Sequence, residues 1–489
     1  MSFPPSRTET PEEHTKRLAV VPRDPRSVHL IAVAGTGMGA LACMLAASGR
    51  AVTGSDQAVY PPMSNQLERA GIRIMEGYRL ENLSHRPDLV VVGNAMSRGN
   101  PEIEALLESG IPYVSMPEAL RLYFFAGKHP VVVAGTHGKT TTTSLAASVL
   151  AHAGRDPSLL VGGIARDFDG GFRLGMGEAF VLEGDEYDTA FFDKEPKFLH
   201  YAPRTAILTS VEFDHADIYR DLDHVREAFR RFVATIPEAG LLAVCADDPE
   251  ARAIAQGASC RVLPYGLSEG SALRGKVREI GPVLTRFEAE REGTPLGEFA
   301  IPLPGAHNVR NALGVLAACL ELGLGVNEIR AGLARFGGVA RRQEVRGEAG
   351  GVLVIDDFAH HPTAIRETVA AIRARYPARR LWALFEPRSN TSRRNVHQKE
   401  YVDALEGADV TIIAGVENPG KIPDAERLSP DRIAADLRDR GRDAHYIGQV
   451  EEIVAYASEN ARKGDVLLVM SNGGFGGIHQ KLLAALGYW

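Results

Sequence analysis

Gly135-Thr136-His137-Gly138-Lys139-Thr140-Thr141 packs small residues, hydroxyls and one lysine into seven positions. These residue types suit a polyphosphate. Backbone N–H groups close on anionic oxygens where no side chain intervenes, a lysine neutralises the outer oxygens, and a threonine hydroxyl reaches Mg2+. The flanks agree: 130–133 reads as a buried strand, and Ala146, Ala147, Val149 and Leu150 as the apolar positions of a following helix. The usual pattern has glycine five positions before Gly138, where this chain has Val133. The Gly-Lys-Thr ending between strand and helix carries the reading, against the plainer one of a glycine turn with a surface lysine.

A triphosphate held this way needs a carboxylate for its metal ion. The next strand, 179–182, delivers Glu183-Gly184-Asp185-Glu186-Tyr187-Asp188. Glu183, nearest the strand end, is the expected Mg2+ ligand, the alternative being a solvated acidic loop. Another strand, 205–209, leads to Glu212, Asp214, His215 and Asp217. His215 is expected in the same strand-end layer as a metal ligand or phosphate neighbour, against a capped turn.

A second glycine turn lies upstream. A strand at 28–34 runs into Gly35-Thr36-Gly37-Met38-Gly39-Ala40, a helix at 41–48, and a strand ending at Asp56. This βαβ unit has a G-x-G-x-x-A fingerprint with an acid 21 positions after Gly35, which suits a diphosphate and a hydroxylated ring. A dinucleotide and a UDP-sugar fit equally, with Asp56 on a ribose; a tight turn is the plain reading. Asn94 and Ser97 follow the strand at 89–92 and are candidate ligand contacts or ordinary turn residues.

The elements that must position these groups divide the chain. Residues 1–26 lack apolar periodicity and read as a mobile tail. Domains are expected at 27–127, 128–338 and 339–489, the last after a Gly337-Gly338 hinge. Short alternating runs at 260–303 suggest hairpins. Asn308 and Asn311 could read a base edge or cap a helix. Five further strand-like runs, separated by helices, make the last domain α/β. Their ends carry Asp356-Asp357-Phe358-Ala359-His360-His361, Glu386-Pro387-Arg388-Ser389-Asn390 and Ser471-Asn472-Gly473-Gly474. The last opens a helix and suits a substrate carboxylate.

Bulk properties narrow the class. The 489 residues are 45% hydrophobic and 24% charged, an ordinary globular composition. A net charge of −7 argues against a nucleic-acid partner. Cys43, Cys245, Cys260 and Cys319 form no Cys-x-x-Cys pair, which favours reduced thiols. No long apolar run or basic-then-apolar leader is present, so a cytoplasmic protein without membrane association is expected.

GTHGKTTT, EGDEYD, the His215 segment, PGAHNVRNA, VARRQE and DDFAHHPT occur in an order that resembles the Mur ligase family, from about Val28 to the C-terminus. The resemblance implies a Rossmann-like UDP-binding domain, a P-loop ATPase domain and a Rossmann-like C-terminal domain. It implies ATP and Mg2+, and an amide formed on the lactyl carboxylate of UDP-N-acetylmuramate through an acyl phosphate. By the same analogy Lys139 meets the γ-phosphate, Thr140 and Glu183 hold one Mg2+, and His215 helps hold a second. Asn308, Asn311, Arg341 and Asp357 contact the nucleotide. Residues 35–39 and Asp56 belong to the UDP site, and Arg388, Ser389, Asn390 and Ser471-Asn472-Gly473 meet peptide carboxylates.

VYPPMS, GNAMSRGNPEIE, EYDTAFFDKEPKFLHYAPRT, FDHADIY, EPRSNT and SNGGFGGIHQKLL resemble the members that add L-alanyl-γ-D-glutamyl-meso-diaminopimelate. The rival within the family adds free L-alanine. Several members carry a carbamylated lysine after the His215 segment; between Ala216 and Thr235 this chain has no lysine, so none is expected. His360 or His361 could take the amine proton or cap the helix that follows. A monomer or weak homo-oligomer is expected. More remote rivals are a nicotinamide oxidoreductase, which leaves Gly138-Lys139-Thr140 without a task, and a non-catalytic nucleotide-binding regulator.

Overall fold

Apolar runs without polar alternation form the strands, as parallel sheets covered on both faces require. Leu89–Val92, Thr205–Leu208, Leu241–Cys245 and Val466–Met470 are buried at every position. The structure, a computed structural model, describes residues 8–60, 63–417, 420 and 422–487. The start of the expected tail, residues 1–7, and the Pro61-Pro62 part of VYPPMS lie outside the described residues. The chain divides into two compact units. One holds the chain up to Val211, Val225–Tyr265 and Gly314–Gly332; the other holds Glu212–His224, Gly266–Leu313 and the chain from Leu333.

In the first unit, a five-stranded parallel sheet runs in the order Arg73–Glu76, Ala51–Asp56, Ser27–Ile31, Leu89–Val92, Tyr113–Ser115. This is the doubly wound pattern that a glycine turn at a strand end serves. The strand expected to reach Ala34 stops at Ile31, because Ala32 turns to φ 69° and the amides of Ala32 and Val33 both donate to the Ser55 carbonyl. A second sheet places His129–Ala134 between Thr205–Leu208 and Ala179–Gly184, all parallel. Leu241–Cys245 extends it on one side and Ser158–Ala165 on the other.

Two further features of this unit were not foreseen. The segment read as a tail carries a helix, Pro11–Ala19, opened by a reciprocal capping box between Thr10 and Glu13. It has no apolar stripe. Buried Arg17 holds it instead, donating to Glu9 at 3.0 Å and Glu118 at 2.8 Å with its guanidinium 4.4 Å from the centre of the Phe192 ring. After the acidic strand end, Asp188–Ala190 and Asp193–Pro196 form a hairpin. Its tip, Ala190, Phe191 and Phe192, is buried in the core formed by Ile31, Val90, Met96 and Ile103.

In the second unit, Leu273–Ile280, Thr285–Arg291 and Thr294–Ile301 form an antiparallel meander, as the alternating pattern predicts. A six-stranded sheet follows in the order Glu344–Ala349, Val352–Asp357, Val466–Met470, Leu381–Phe385, Val410–Ile413, Asp443–Tyr446. Its first strand is antiparallel and half exposed, so it lacks the apolar run that marks the four inner strands. Two buried clusters, one with Ile355, Phe385 and Met470 and one with Val354, Trp382 and Val469, use alternate residues of the same strands.

Candidate active site

The strand His129–Ala134 ends at Gly135, with φ 133°, and Gly138, with φ 81°, opens the helix Lys139–His152. A Cβ on Gly135 would lie 2.1 Å from Thr209 Oγ1, so the loop closes to a shape only glycine allows. Thr209 Oγ1 donates to the carbonyl of His137 at 2.6 Å, and Ser210 accepts the amides of Thr136 at 2.8 Å and His137 at 3.2 Å. The adjacent strand end thereby braces the loop from outside. Thr140 and buried Thr141 lie in the first turn of the helix.

Lys139 Nζ donates to the carbonyl of Gly135 at 2.6 Å and to Glu186 Oε1 at 3.0 Å. Burial disfavours its ammonium, but the Glu186 carboxylate outweighs that and holds the lysine above its ordinary pKa. Glu183 is the penultimate residue of the strand Ala179–Gly184 and accepts the Gly162 amide at 3.1 Å. Asp185 is resisted by burial yet held at about 2 by Lys197, whose Nζ donates to it at 2.7 Å. The acidic run thus has three distinct positions rather than one solvated face.

At the upstream turn, Gly35 caps the helix Thr36–Ala47, which takes in Gly37, Met38 and Gly39. A Cβ on Gly39 would come within 2.1 Å of the Met63 sulfur, so packing also holds this position, outside the fingerprint itself, to glycine. Asp56 accepts the Ala34 amide at 2.8 Å and the Gln57 amide at 2.7 Å, so part of its task is to close the turn. Half-buried Asn94 and exposed Ser97 stand in the loop after Leu89–Val92, where the Ser97 carbonyl accepts the Asn100 amide.

The His215 loop belongs to the second unit. His215 sits at φ 55°, and its amide donates to Asp214 at 2.7 Å. The loop is held by the strand ends of the last sheet. Thr363 donates to Glu212 at 2.9 Å, His361 and His397 each approach the Phe213 carbonyl at 3.3 Å, and Asn390 donates to Asp217 at 2.9 Å. His361 Nδ1 also accepts the Thr363 amide, capping the helix Pro362–Arg375. The amine-base reading and the capping reading therefore meet on one ring, and the capping contact is the one formed.

Asn308 and Asn311 are buried; Asn308 donates to the Pro304 carbonyl at 2.8 Å and accepts from Asn311 at 3.2 Å. Asp357 accepts the amides of Gln343 and Ala359, both at 2.8 Å, and burial raises its pKa. Arg341, at φ 60°, donates to the carbonyls of Ser471 at 2.7 Å and Gly473 at 2.5 Å and lies 3.4 Å from Asp356. Arg388 approaches Glu417 at 3.3 Å, and it packs so closely on Gly473 that a Cβ added there would meet the Arg388 side chain. Ser389 Oγ donates to Ser392, while Ser471 Oγ accepts the Gly473 amide and donates to Glu386; half-buried Asn472 lies between Ser471 and Gly473.

The site residues divide between the units: both glycine turns, Asn94, Ser97 and Glu183 lie in the first, and His215, Asn308, Asn311, Arg341, Asp357, 388–390 and 471–473 in the second. Sequence reasoning named Thr209, Glu212, Glu386 and Thr363 only as members of motifs, because their work is to brace other residues. Among the described residues no helix is long and apolar enough to cross a membrane.

Three family models match consecutive stretches: "Mur ligase family, catalytic domain" at residues 27–124, "Mur ligase middle domain" at 133–319 and "Mur ligase, glutamate ligase domain" at 341–473. A protein of Escherichia coli (strain K12) named UDP-N-acetylmuramate–L-alanyl-γ-D-glutamyl-meso-2,6-diaminoheptandioate ligase is 39% identical over 465 residues, covering 94% of this chain and 98% of its own. A protein of the same name from Haemophilus influenzae is 38% identical over 471 residues, covering 94% and 99%. The solved murein peptide ligase of Psychrobacter arcticus 273-4 superposes with a TM-score of 0.70 at 36% identity, covering 95% of this chain and 99% of that one. Glycine cradle, acidic strand end and full-length likeness agree, and the chain belongs to the Mur ligase family.

Proposed function

We propose that this chain is an ATP-dependent amide-forming ligase that joins L-alanyl-γ-D-glutamyl-meso-diaminopimelate to the lactyl carboxylate of UDP-N-acetylmuramate, returning recovered wall peptide to synthesis. The carrying observation is the Lys139 loop, where Gly135 allows a backbone approach no side chain permits, in a chain that matches relatives of that name over 94% of its length.

The chemistry follows from the substrates. A lactyl carboxylate oxygen attacks the γ-phosphorus as the bond to ADP breaks. The alanyl nitrogen attacks the resulting acyl carbon, phosphate leaves, and the nitrogen gives up a proton. No protein nucleophile enters, so positioning and charge neutralisation supply the rate. Lys139 neutralises the outer phosphoryl oxygens, while Gly135, Thr136, His137, Gly138, Thr140 and Thr141 present the amide cradle. Thr140 and Glu183, both oxygen donors, are assigned to one Mg2+ and His215 to a second; such an ion, when bound, would offset charge on the phosphates. Asn308, Asn311, Arg341 and Asp357 are assigned to the nucleotide. Residues 35–39, Asp56, Asn94 and Ser97 are assigned to the UDP-sugar, and Arg388, Ser389, Asn390 and Ser471-Asn472-Gly473 to the peptide. Residues 27–127, 128–338 and 339–489 are taken as the UDP-sugar, ATP and peptide domains of a cytoplasmic enzyme that works as a monomer or weak homo-oligomer.

ADP release measured with UDP-N-acetylmuramate and either the tripeptide or L-alanine tests this reading. Turnover with the tripeptide alone is expected; turnover with alanine in place of the tripeptide overturns the substrate assignment.

A further inference from the structure

Lys139 spends all three of its ammonium protons inside the protein. They go to the carbonyls of Gly135 at 2.6 Å and Thr136 at 3.3 Å and to Glu186, whose two oxygens lie at 3.0 and 2.9 Å. Glu186 is 2% exposed, so its carboxylate is withdrawn from water and directed at the lysine. None of the roles assigned above uses it.

The carboxylate is held by a stiff support. The Asp185 side chain before it accepts the Tyr187 amide at 3.2 Å and Lys197 Nζ at 2.7 Å, and the Tyr187 carbonyl accepts the Lys197 amide at 2.9 Å. Beyond this, the hairpin Asp188–Pro196 runs to Phe191 and Phe192, which are buried among Ile31, Val90 and Ile103. The Glu9 amide donates to the Phe192 carbonyl at 2.8 Å, and the Lys194 amide to Thr8 Oγ1 at 3.0 Å. The turn carrying Glu186 is pinned at its root and, through the hairpin, at its tip.

We infer that Glu186 is a positioning residue: it holds Lys139 across the mouth of the phosphate loop and yields it to the outermost phosphoryl group of ATP. The inference rests on the nucleotide reading of this loop. A phosphoryl group reaching Lys139 takes a proton donor from Glu186 and brings a second anion beside a buried carboxylate, so binding is opposed. The same carboxylate limits the rotamers open to a long flexible side chain, which favours the reacting geometry. A group that opposes nucleotide binding yet aids the chemical step separates affinity from turnover.

Binding of the non-hydrolysable analogue AMP-PNP with Mg2+ by calorimetry, together with steady-state ADP release, tests this on the full chain. For Glu186→Gln, Kd is expected to fall at least threefold and kcat at least tenfold. Unchanged or weaker binding in a folded Glu186→Gln protein overturns the inference and leaves the nucleotide reading intact. If that variant does not fold, Glu186→Asp carries the test: its retracted carboxylate should lower kcat at least fivefold with Kd no weaker than in the parent, and unchanged kcat overturns the inference. A parent protein that binds no AMP-PNP overturns the nucleotide reading and this inference with it.

Discussion

Arg341 Nη2 donates to the Ser471 carbonyl at 2.7 Å, tying a residue three positions after Gly338 to the end of the strand Val466–Met470. The same nitrogen donates to the Gly473 carbonyl at 2.5 Å, while Nε faces the buried Asp356 carboxylate at 3.4 Å. One guanidinium therefore ties the 471–473 loop to the end of the strand Val352–Asp357, from a backbone held at φ 60°.

Lysine cannot reproduce that fork. Arg341→Lys keeps the charge but makes fewer directed hydrogen bonds, and kcat/KM for ATP is expected to fall about 10- to 100-fold, equivalent to about 1.4 to 2.8 kcal/mol. Steady-state kinetics beside a thermal melt separates this from unfolding. A variant within twofold of the parent would remove Arg341 from the nucleotide site.

Glu367 provides a pH-dependent contribution to the second unit. The neighbouring His307, 3.5 Å away, and Arg310 hold its carboxyl at about 2, below the ordinary 4.5, against the opposing effect of burial. The unfolded chain takes up this proton at higher pH than the folded one, so the stabilisation is complete above pH 4.5 and is lost as pH falls toward 2. Urea titrations of parent and Glu367→Gln should differ near neutrality and converge over that interval. A difference that stays constant with pH would refute the linkage.

Arg17 is 8% exposed and shared between Glu9 and Glu118. Arg17→Ala leaves the buried Glu118 carboxylate without its guanidinium partner, and a cost of about 3 kcal/mol is expected. Hydrogen exchange should accelerate in Pro11–Ala19 and in the hairpin Asp188–Pro196, which the same guanidinium covers through the Phe192 ring. Exchange confined to the helix would mean that the hairpin stands without it.

Legibility followed the range of the forces. Gly135 through Lys139 and the G-x-G-x-x-A turn were readable because backbone approach and a helix N-terminus are local requirements. The strands at Leu89–Val92 and Val466–Met470 were readable because burial on both faces leaves an apolar run. Pro11–Ala19 was missed because buried charge pairing with Glu118, about a hundred positions away, holds it. Its local signals, the Thr10–Glu13 capping pair and Pro11 at the first turn, are short-range and were outweighed by the missing apolar stripe. Glu344–Ala349 was missed because a half-exposed edge strand needs no such run.

By itself the sequence determined the α/β class, the two glycine turns and the acids that end the strand at Glu183, all set by steric and hydrophobic rules acting over a few residues. Only the tertiary structure decided that Glu186 is the acid facing Lys139, that Asp56 closes its own turn, and that His361 caps a helix beside the Phe213 carbonyl. Each of those choices depends on which amide, carbonyl or cation comes within about 3 Å, and among several candidates that is set by packing rather than by spacing along the chain.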